Sequence, residues 1–258
     1  FMLRENKMNI LIAMETSGVT RKAFEEYSNR NDFAWNIYSC DLLPADDDGA
    51  GGGSGYHIIG DAIQIIRELQ WDLILVHPPC TALAVSGNAW YGRGMKKHSK
   101  RLEAIQWTTD LWNLIKGHSR FAIMENPVGV LPFKPAQYIQ PYEFGHPESK
   151  KTGLWLHNLP KLIATNNVKN IYDSLPKKEQ MKMHYLSPSK NRWKMRSKTY
   201  QGIGNAIAEQ YGNYLFALQR KEQLMKRSWG GAMLWAATKD NMLDEKEIRN
   251  LVTSTGEF

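Results

Sequence analysis

Cysteine is nearly absent from this sequence: Cys40 and Cys80 are the only two among 258 residues. Two thiols cannot build a disulfide framework or an all-cysteine zinc site, so a cysteine that matters here acts alone. The histidines do not make up the shortfall. Six of the seven, His77, His98, His118, His146, His157 and His184, are scattered without ligand spacing, and no metal is expected. The glycine-rich stretch Asp46–Gly55 is not followed by Gly-Lys-Ser/Thr and is no phosphate loop. No apolar run approaches the ~20 residues of a membrane span. The opening Phe1-Met-Leu-Arg-Glu-Asn-Lys7 lacks the apolar stretch of a signal peptide. A cytoplasmic protein is the expectation, with Met8 as the natural start because Phe1 is no initiator. The composition is also unremarkable in the way that matters: 42% hydrophobic and 23% charged residues, with 20 Gly and 11 Pro, exclude collagen-like and wholly disordered chains. What remains is a globular chain of one large domain, or a main domain with a small attachment.

Charge is present in excess and unevenly spread. The chain carries +7 with a pI near 9.2. Residues 150–227 hold 16 Lys/Arg against 4 Asp/Glu, a local +12, whereas the rest holds 17 against 22 and is mildly acidic. A basic segment on an acidic body suits a polyanion such as nucleic acid, because neutralising phosphates releases condensed counterions. A solvated basic face would show the same balance.

The first half alternates short apolar runs with helical periodicity. Strands are expected at Asn9–Ala13, Ala34–Ser39, Trp71–Val76 and Phe121–Met124, with helices at Val19–Tyr27, Asp61–Gln70 and Arg101–Ile115. Strands separated by helices predict a parallel, doubly wound α/β sheet, in which ligands sit beyond the carboxyl ends of the strands. Four polar segments fall at those ends: Glu15-Thr16-Ser17-Gly18, Asp41, His77–Thr81 and Glu125-Asn126. From about Pro132 to Lys198 the chain turns irregular and is a poor candidate for continuing the sheet, though Phe144–Leu156 could form a hairpin. A helix resumes over Tyr200–Leu218, and the tail from Lys221 offers two helical stretches broken at Gly230-Gly231, the second from about Asp244.

Cys80 follows a buried strand directly, in His77-Pro78-Pro79-Cys80-Thr81, and the two prolines fix the backbone before it. It is either a packing thiol or a nucleophile held at a sheet edge. Glu125 ends another strand near the same edge, as a cap, a solvated turn or an acid. A thiol and a carboxylate meeting in one cleft suit attack on an electron-poor ring, with the acid assisting protonation of that ring. Between them, Ala82–Arg101 reads as a mobile basic loop with Ser86, Asn88, Arg93, Lys96 and Lys97 positioned to meet an anion.

Pro78-Pro79-Cys80, followed 45 residues later by Glu125-Asn126 on a chain that begins strand, turn, helix, resembles the cytosine-C5 DNA methyltransferases, most nearly the short phage and mobile-element type. The resemblance spans most of residues 8–218. It implies a class I S-adenosylmethionine-dependent methyltransferase fold, an α/β Rossmann-like sheet with a small irregular recognition region. Cys80 would then add to C6 of cytosine and Glu125 would meet N3 and the exocyclic amine. The cofactor S-adenosyl-L-methionine would contact Glu15, Thr16, Ser17 and Gly18. Asp41 and Leu42 would lie at its ribose, Asp61 at its adenine amine, and Pro78, Asn205 and Ala206 would complete the site. The implied organisation is a catalytic domain over 8–150 and 199–220, a recognition region over 151–198 and a helical extension over 221–258.

The departures from that pattern are specific. The first loop, Ala13-Met-Glu-Thr-Ser-Gly18, replaces Phe-x-Gly-x-Gly-Gly, and Thr81 stands where glutamine usually follows the cysteine. Lys150 falls on the first arginine of the family's Gln-x-Arg-x-Arg segment and Thr152 on the second. Lysine supplies charge but not the planar fork of arginine. Lys150 takes the role of polarising the cytosine carbonyl, and Lys151 is an equal structural candidate. The short recognition region contains Arg192, Trp193, Lys194, Arg196 and Lys198, basic residues interleaved with an aromatic one, suited to phosphate contact and base stacking. The expected partner is DNA, either duplex with a flipped cytosine or single-stranded. RNA, a free pyrimidine nucleotide, or a catalytically weakened DNA-binding role on the same scaffold are the alternatives.

Overall fold

The computed structural model describes residues 7–46 and 56–228. Most of the glycine-rich loop, the Gly230-Gly231 break and the second tail helix lie outside the described residues. The chain runs β1 (Asn9–Ala13), α1 (Val19–Arg30), β2 (Asn36–Asp41), β3 (His57–Ile59), α2 (Ala62–Glu68), β4 (Trp71–Val76), α3 (Asn88–Tyr91), α4 (His98–His118), β5 (Ser119–Pro127), β6 (Gln137–Ile139), β7 (Thr152–His157), α5 (Lys169–Ser174), α6 (Lys177–Gln180), α7 (Arg192–Ser197) and α8 (Gln201–Ser228).

Seven strands form one sheet in the order β3-β2-β1-β4-β5-β7-β6. Pairs among β1 to β5 are parallel, and β7 runs antiparallel to both β5 and β6. This order, with one reversed strand second from the edge, is the class I methyltransferase sheet. The central strands are apolar on both faces, as a sheet covered on both sides requires. Because side chains alternate along a strand, Ile10, Ile12, Leu73, Leu75, Phe121 and Ile123 face one layer, built from Phe24 and Tyr27 of α1 and Ile207, Tyr211 and Leu215 of α8. Leu11, Ala13, Ile74, Val76, Ala122 and Met124 face the other, built from Ile65 and Ile66 of α2 and Leu111, Trp112 and Ile115 of α4. Each fully buried aliphatic side chain contributes roughly 1.5–3 kcal/mol, so a charged substitution at Ile12 or Ile74 would break the layer it faces.

Three expectations need amendment. The sheet is mixed, not parallel throughout, and the segment read as irregular supplies two of its strands. β6, flanked by Pro135 and Pro141, carries three residues, too short an alternation to read; the hairpin is β6–β7, with Phe144–Lys151 in its connection. Thr152–His157, placed by sequence in the recognition region, pairs residue for residue with β5, so the portion of 151–198 outside the sheet follows His157. The segment after Cys80 is folded rather than a loose loop: a 3-10 turn at Val85–Gly87 leads into α3.

Candidate active site

The sheet order reverses between β1 and β4, and the crevice beyond their carboxyl ends is where a doubly wound fold binds its ligand. Two loops line it, Met14–Gly18 and His77–Thr81. The first is held by backbone bonds from Met14 N–H and Glu15 N–H to the Cys40 carbonyl at 2.7 and 3.3 Å. Gly18 stands at the head of α1 with φ 67°, a left-handed conformation suited to glycine. Glu15 is buried; its Oε1 accepts from Thr20 N–H and the Ser17 hydroxyl, both at 3.0 Å, while Oε2 is buried with no partner among the described residues. Asp41 ends β2, where Oδ1 accepts from Leu43 N–H at 3.0 Å, and Leu42 beside it is largely exposed. Asp61 caps α2 through Ile63 N–H at 2.7 Å. At the start of α8, Gly204 packs on Val19 and Thr20 and brings exposed Asn205 and buried Ala206 beside the same loop. The residues expected to hold the cofactor thus share one end of the sheet. The unpartnered Glu15 oxygen, the left-handed glycine and two carboxylates at successive strand ends fit a cationic, hydroxyl-bearing ligand.

The second loop carries the candidate chemistry. Val76 pairs with Met124 in register, so His77 and Glu125 emerge side by side from β4 and β5. His77 Nδ1 lies 2.8 Å from Glu125 Oε2, with both side chains largely buried. Pro78 is buried and its carbonyl accepts from the Asn126 amide at 3.2 Å, which anchors the turn leading to Cys80. Burial pushes the Cys80 thiol up and the Glu125 charge adds to this, while Lys150 and Arg196 pull it down. Cys80 therefore rests as a thiol. Burial would raise the Glu125 carboxyl, but the bond and charge of His77, the charge of Lys150 and the Thr152 hydroxyl outweigh it and hold it below the usual carboxylate range. His77 shows the converse: burial lowers it, yet Glu125 and then Glu15 raise it above its ordinary value against the opposing charge of Lys150. Each partner thus favours the charged form of the other.

The two lysines separate clearly. Lys150 acts on Cys80, His77 and Glu125 together, and its Nζ donates to the Lys198 carbonyl at 3.1 Å. Lys151 is exposed, with Nζ 4.7 Å from the centre of the Tyr138 ring. Lys150 is the one that belongs to the cleft.

Around the cleft, Ser86, Asn88, Arg93, Lys96 and Lys97 are exposed, as are Trp193, Arg196 and Lys198. Lys97 Nζ lies 5.8 Å from both the Trp90 and Tyr91 rings, and Trp90 is 66% exposed. The Asn88 side chain is engaged by Arg101, and Arg192 is half-buried with an NH2 on the His184 carbonyl at 3.3 Å. Lys194 pairs with Asp46 at 2.5 Å, tying α7 to the chain beyond β2. Trp193, which could have packed inward, stands 55% exposed on α7.

Sequence reasoning passed over three residues. His77 was read as part of a strand-end segment and as a metal ligand but given no role of its own, although its position one residue past β4, level with Glu125 near the end of β5, was the signal. Arg101 was counted among loop charges, yet it is buried and clamps the loop after Cys80 through the Ala82 and Ala84 carbonyls. Asn126 was named only as the neighbour of Glu125. Among the described residues no group of three or more His, Cys, Asp or Glu is placed to hold a metal, and no helix is long and apolar enough to cross a membrane.

No family model matches the chain, and no curated protein matches it. Among solved structures it is similar to one described as the structure analysis of the Entamoeba histolytica methyltransferase EhMeth, at 13% identity and a TM-score of 0.45, covering 72% of this chain and 61% of that one. The chain thus spans less than two thirds of that protein. The fold assignment stands on the sheet's own order and strand directions.

Proposed function

We propose that this protein transfers a methyl group from S-adenosylmethionine to C5 of cytosine in DNA, through a covalent adduct between Cys80 and C6. The observation that carries the reading is the juxtaposition of Cys80, Glu125 and Lys150 at the carboxyl ends of β4 and β5, next to the Met14–Gly18 loop, where a Glu15 oxygen is buried without a partner among the described residues. When bound, the cofactor supplies an electrophilic methyl group. Glu15, Ser17, Gly18, Asp41, Asp61 and Asn205 would hold it, and every other part of the reaction falls to this chain's side chains.

Cys80 loses its proton and its sulfur bonds to C6, while the C5–C6 π pair shifts to make C5 nucleophilic. N3 gains a proton through Glu125, which matches the proton lost by the thiol. Lys150 places positive charge beside the thiol and the carboxylate, where negative charge develops during attack. After C5 takes the methyl group, the C5 proton leaves to solvent as the sulfur–C6 bond breaks, N3 returns its proton through Glu125 to the departing sulfur, and the ring regains its aromaticity. The raised thiol suits this order: the nucleophile stays protonated until a substrate expels water and brings an acceptor.

DNA is favoured by the basic residues of α7 and by the exposed aromatic residues Trp90 and Trp193, which offer stacking faces beside the cleft. The experiment is methyl transfer from labelled S-adenosylmethionine to duplex DNA, single-stranded DNA, RNA and dCMP in parallel. Transfer to DNA with wild type and none with Cys80→Ala is expected. Full transfer by Cys80→Ala removes the proposed mechanism, and preferential transfer to RNA or dCMP reassigns the substrate.

A further inference from the structure

His77 bonds one carboxylate and feels the charge of a second. Its Nδ1 meets Glu125 Oε2 at 2.8 Å, and the Glu15 charge also acts on the ring. Nε2 is buried with no partner among the described residues, as is Glu15 Oε2. A side chain only filling space at this position would need no ring nitrogen within bonding distance of Glu125. An imidazole here also costs desolvation, which the carboxylate contact offsets.

Resting on the cytosine reading above, we infer that His77 is the positioning residue for Glu125: by binding Oε2 it fixes the carboxyl plane and turns Oε1 toward the ring edge of the target base. A glutamate side chain has three rotatable bonds, and an unanchored carboxyl at a cleft would sample several orientations. Anchoring one oxygen leaves a single direction for the other, as a group that must meet N3 and an exocyclic amine together requires. The same contact holds the Glu125 carboxyl below its usual range, so a proton relayed through it from the thiol is passed on to N3 rather than retained. The charged and titratable groups acting on the pair are Glu15 from the loop after β1, Cys80 from the loop after β4, Lys150 just before β7, and Arg196 from α7 through its effect on Cys80; the Thr152 hydroxyl at the start of β7 adds a neutral donor. Of these only His77 forms an ion pair with Glu125.

The test compares wild type with His77→Gln, whose amide does not reach the Nδ1 position, and His77→Asn, whose amide nitrogen falls close to it and restores a donor without the charge. For His77→Gln the expected result is a fall of about 10- to 100-fold in kcat with a smaller change in KM, and a shift to higher pH of the ionisation limb belonging to Glu125. His77→Asn should recover part of kcat while its limb stays shifted. A limb that does not move in His77→Gln, with kcat unchanged, overturns the inference. A second readout does not depend on turnover: titration of the His77 ring nitrogens by NMR in wild type and Glu125→Gln. The ring should titrate above its ordinary value in wild type and lower in Glu125→Gln, and coincident titrations overturn the pairing. Should wild type methylate none of the substrates, the cytosine reading fails while the NMR titration still decides the pair.

Discussion

Replacing Arg101 by methionine should loosen the loop that presents Cys80. Arg101 is 5% exposed and has no acidic partner among the described residues; its guanidinium is satisfied by the Ala82 carbonyl at 2.7 Å, the Asn88 side-chain oxygen at 2.7 Å and the Ala84 carbonyl at 3.2 Å. The same turn is closed by Leu83 and Ala84 N–H groups on the Cys80 carbonyl at 3.0 and 2.9 Å. Methionine keeps much of the packing volume but leaves two carbonyls without a donor, at ~1–3 kcal/mol each. The loop can swing outward and hydrate those carbonyls, which caps the loss, so about 3 kcal/mol is expected. For a domain of this size that is a fall in Tm of roughly 6–12 °C. Urea unfolding measures the change, with the slope checked to confirm that the extent of unfolding is unaltered. The rate of Cys80 alkylation in native buffer should rise, because an open loop exposes the thiol, while fully buried Cys40 serves as an internal control. Arg101→Lys should fall between the two, since a point charge cannot serve three acceptors set in a fork. Unchanged melting together with unchanged alkylation in Arg101→Met would refute the clamp.

Lys150→Ala removes a charge that lowers the Cys80 thiol, so the alkylation profile of Cys80 should move to higher pH, whereas Lys151→Ala should leave it in place. On α7, Arg196→Ala should reduce the slope of log affinity for DNA against log salt by up to about 0.9. Lys194→Ala should reduce it less, because Asp46 already neutralises that charge; filter binding or anisotropy at several salt concentrations separates them. Gly202→Ala would set a Cβ 1.9 Å from the Phe144 carbonyl, so α8 must move away from the β6–β7 connection. Overpacking of this kind costs about 1–3 kcal/mol, and a thermal melt that does not shift would show that the approach is looser than this.

The first half of the fold was legible because its strands are short, apolar and doubly buried, and its helices carry their own periodicity. Asn9–Ala13 and Trp71–Val76 were read to the residue. The strand at His57–Ile59 was missed, since three residues carry too little pattern, and β7 was assigned outside the sheet because its partners are remote in sequence. Glu125 and Cys80 were visible as polar residues ending apolar runs. Lys150 could not be told from Lys151, since neighbouring lysines on an irregular connection have no periodicity to say which one points inward.

What the sequence determined by itself is the set of strand ends and the residue types found there, because hydrophobic alternation and its interruptions are local properties of the chain. What only the tertiary structure decided is which of those residues meet. Adjacency of β4 and β5 sets His77 against Glu125, and the reversal of β7 carries Lys150 back to Cys80. The long-range burial of Arg101 turns an apparent surface charge into a clamp. Each of these depends on strand order and burial, which arise from packing the whole sheet between its two helical layers and have no counterpart in any short stretch of sequence.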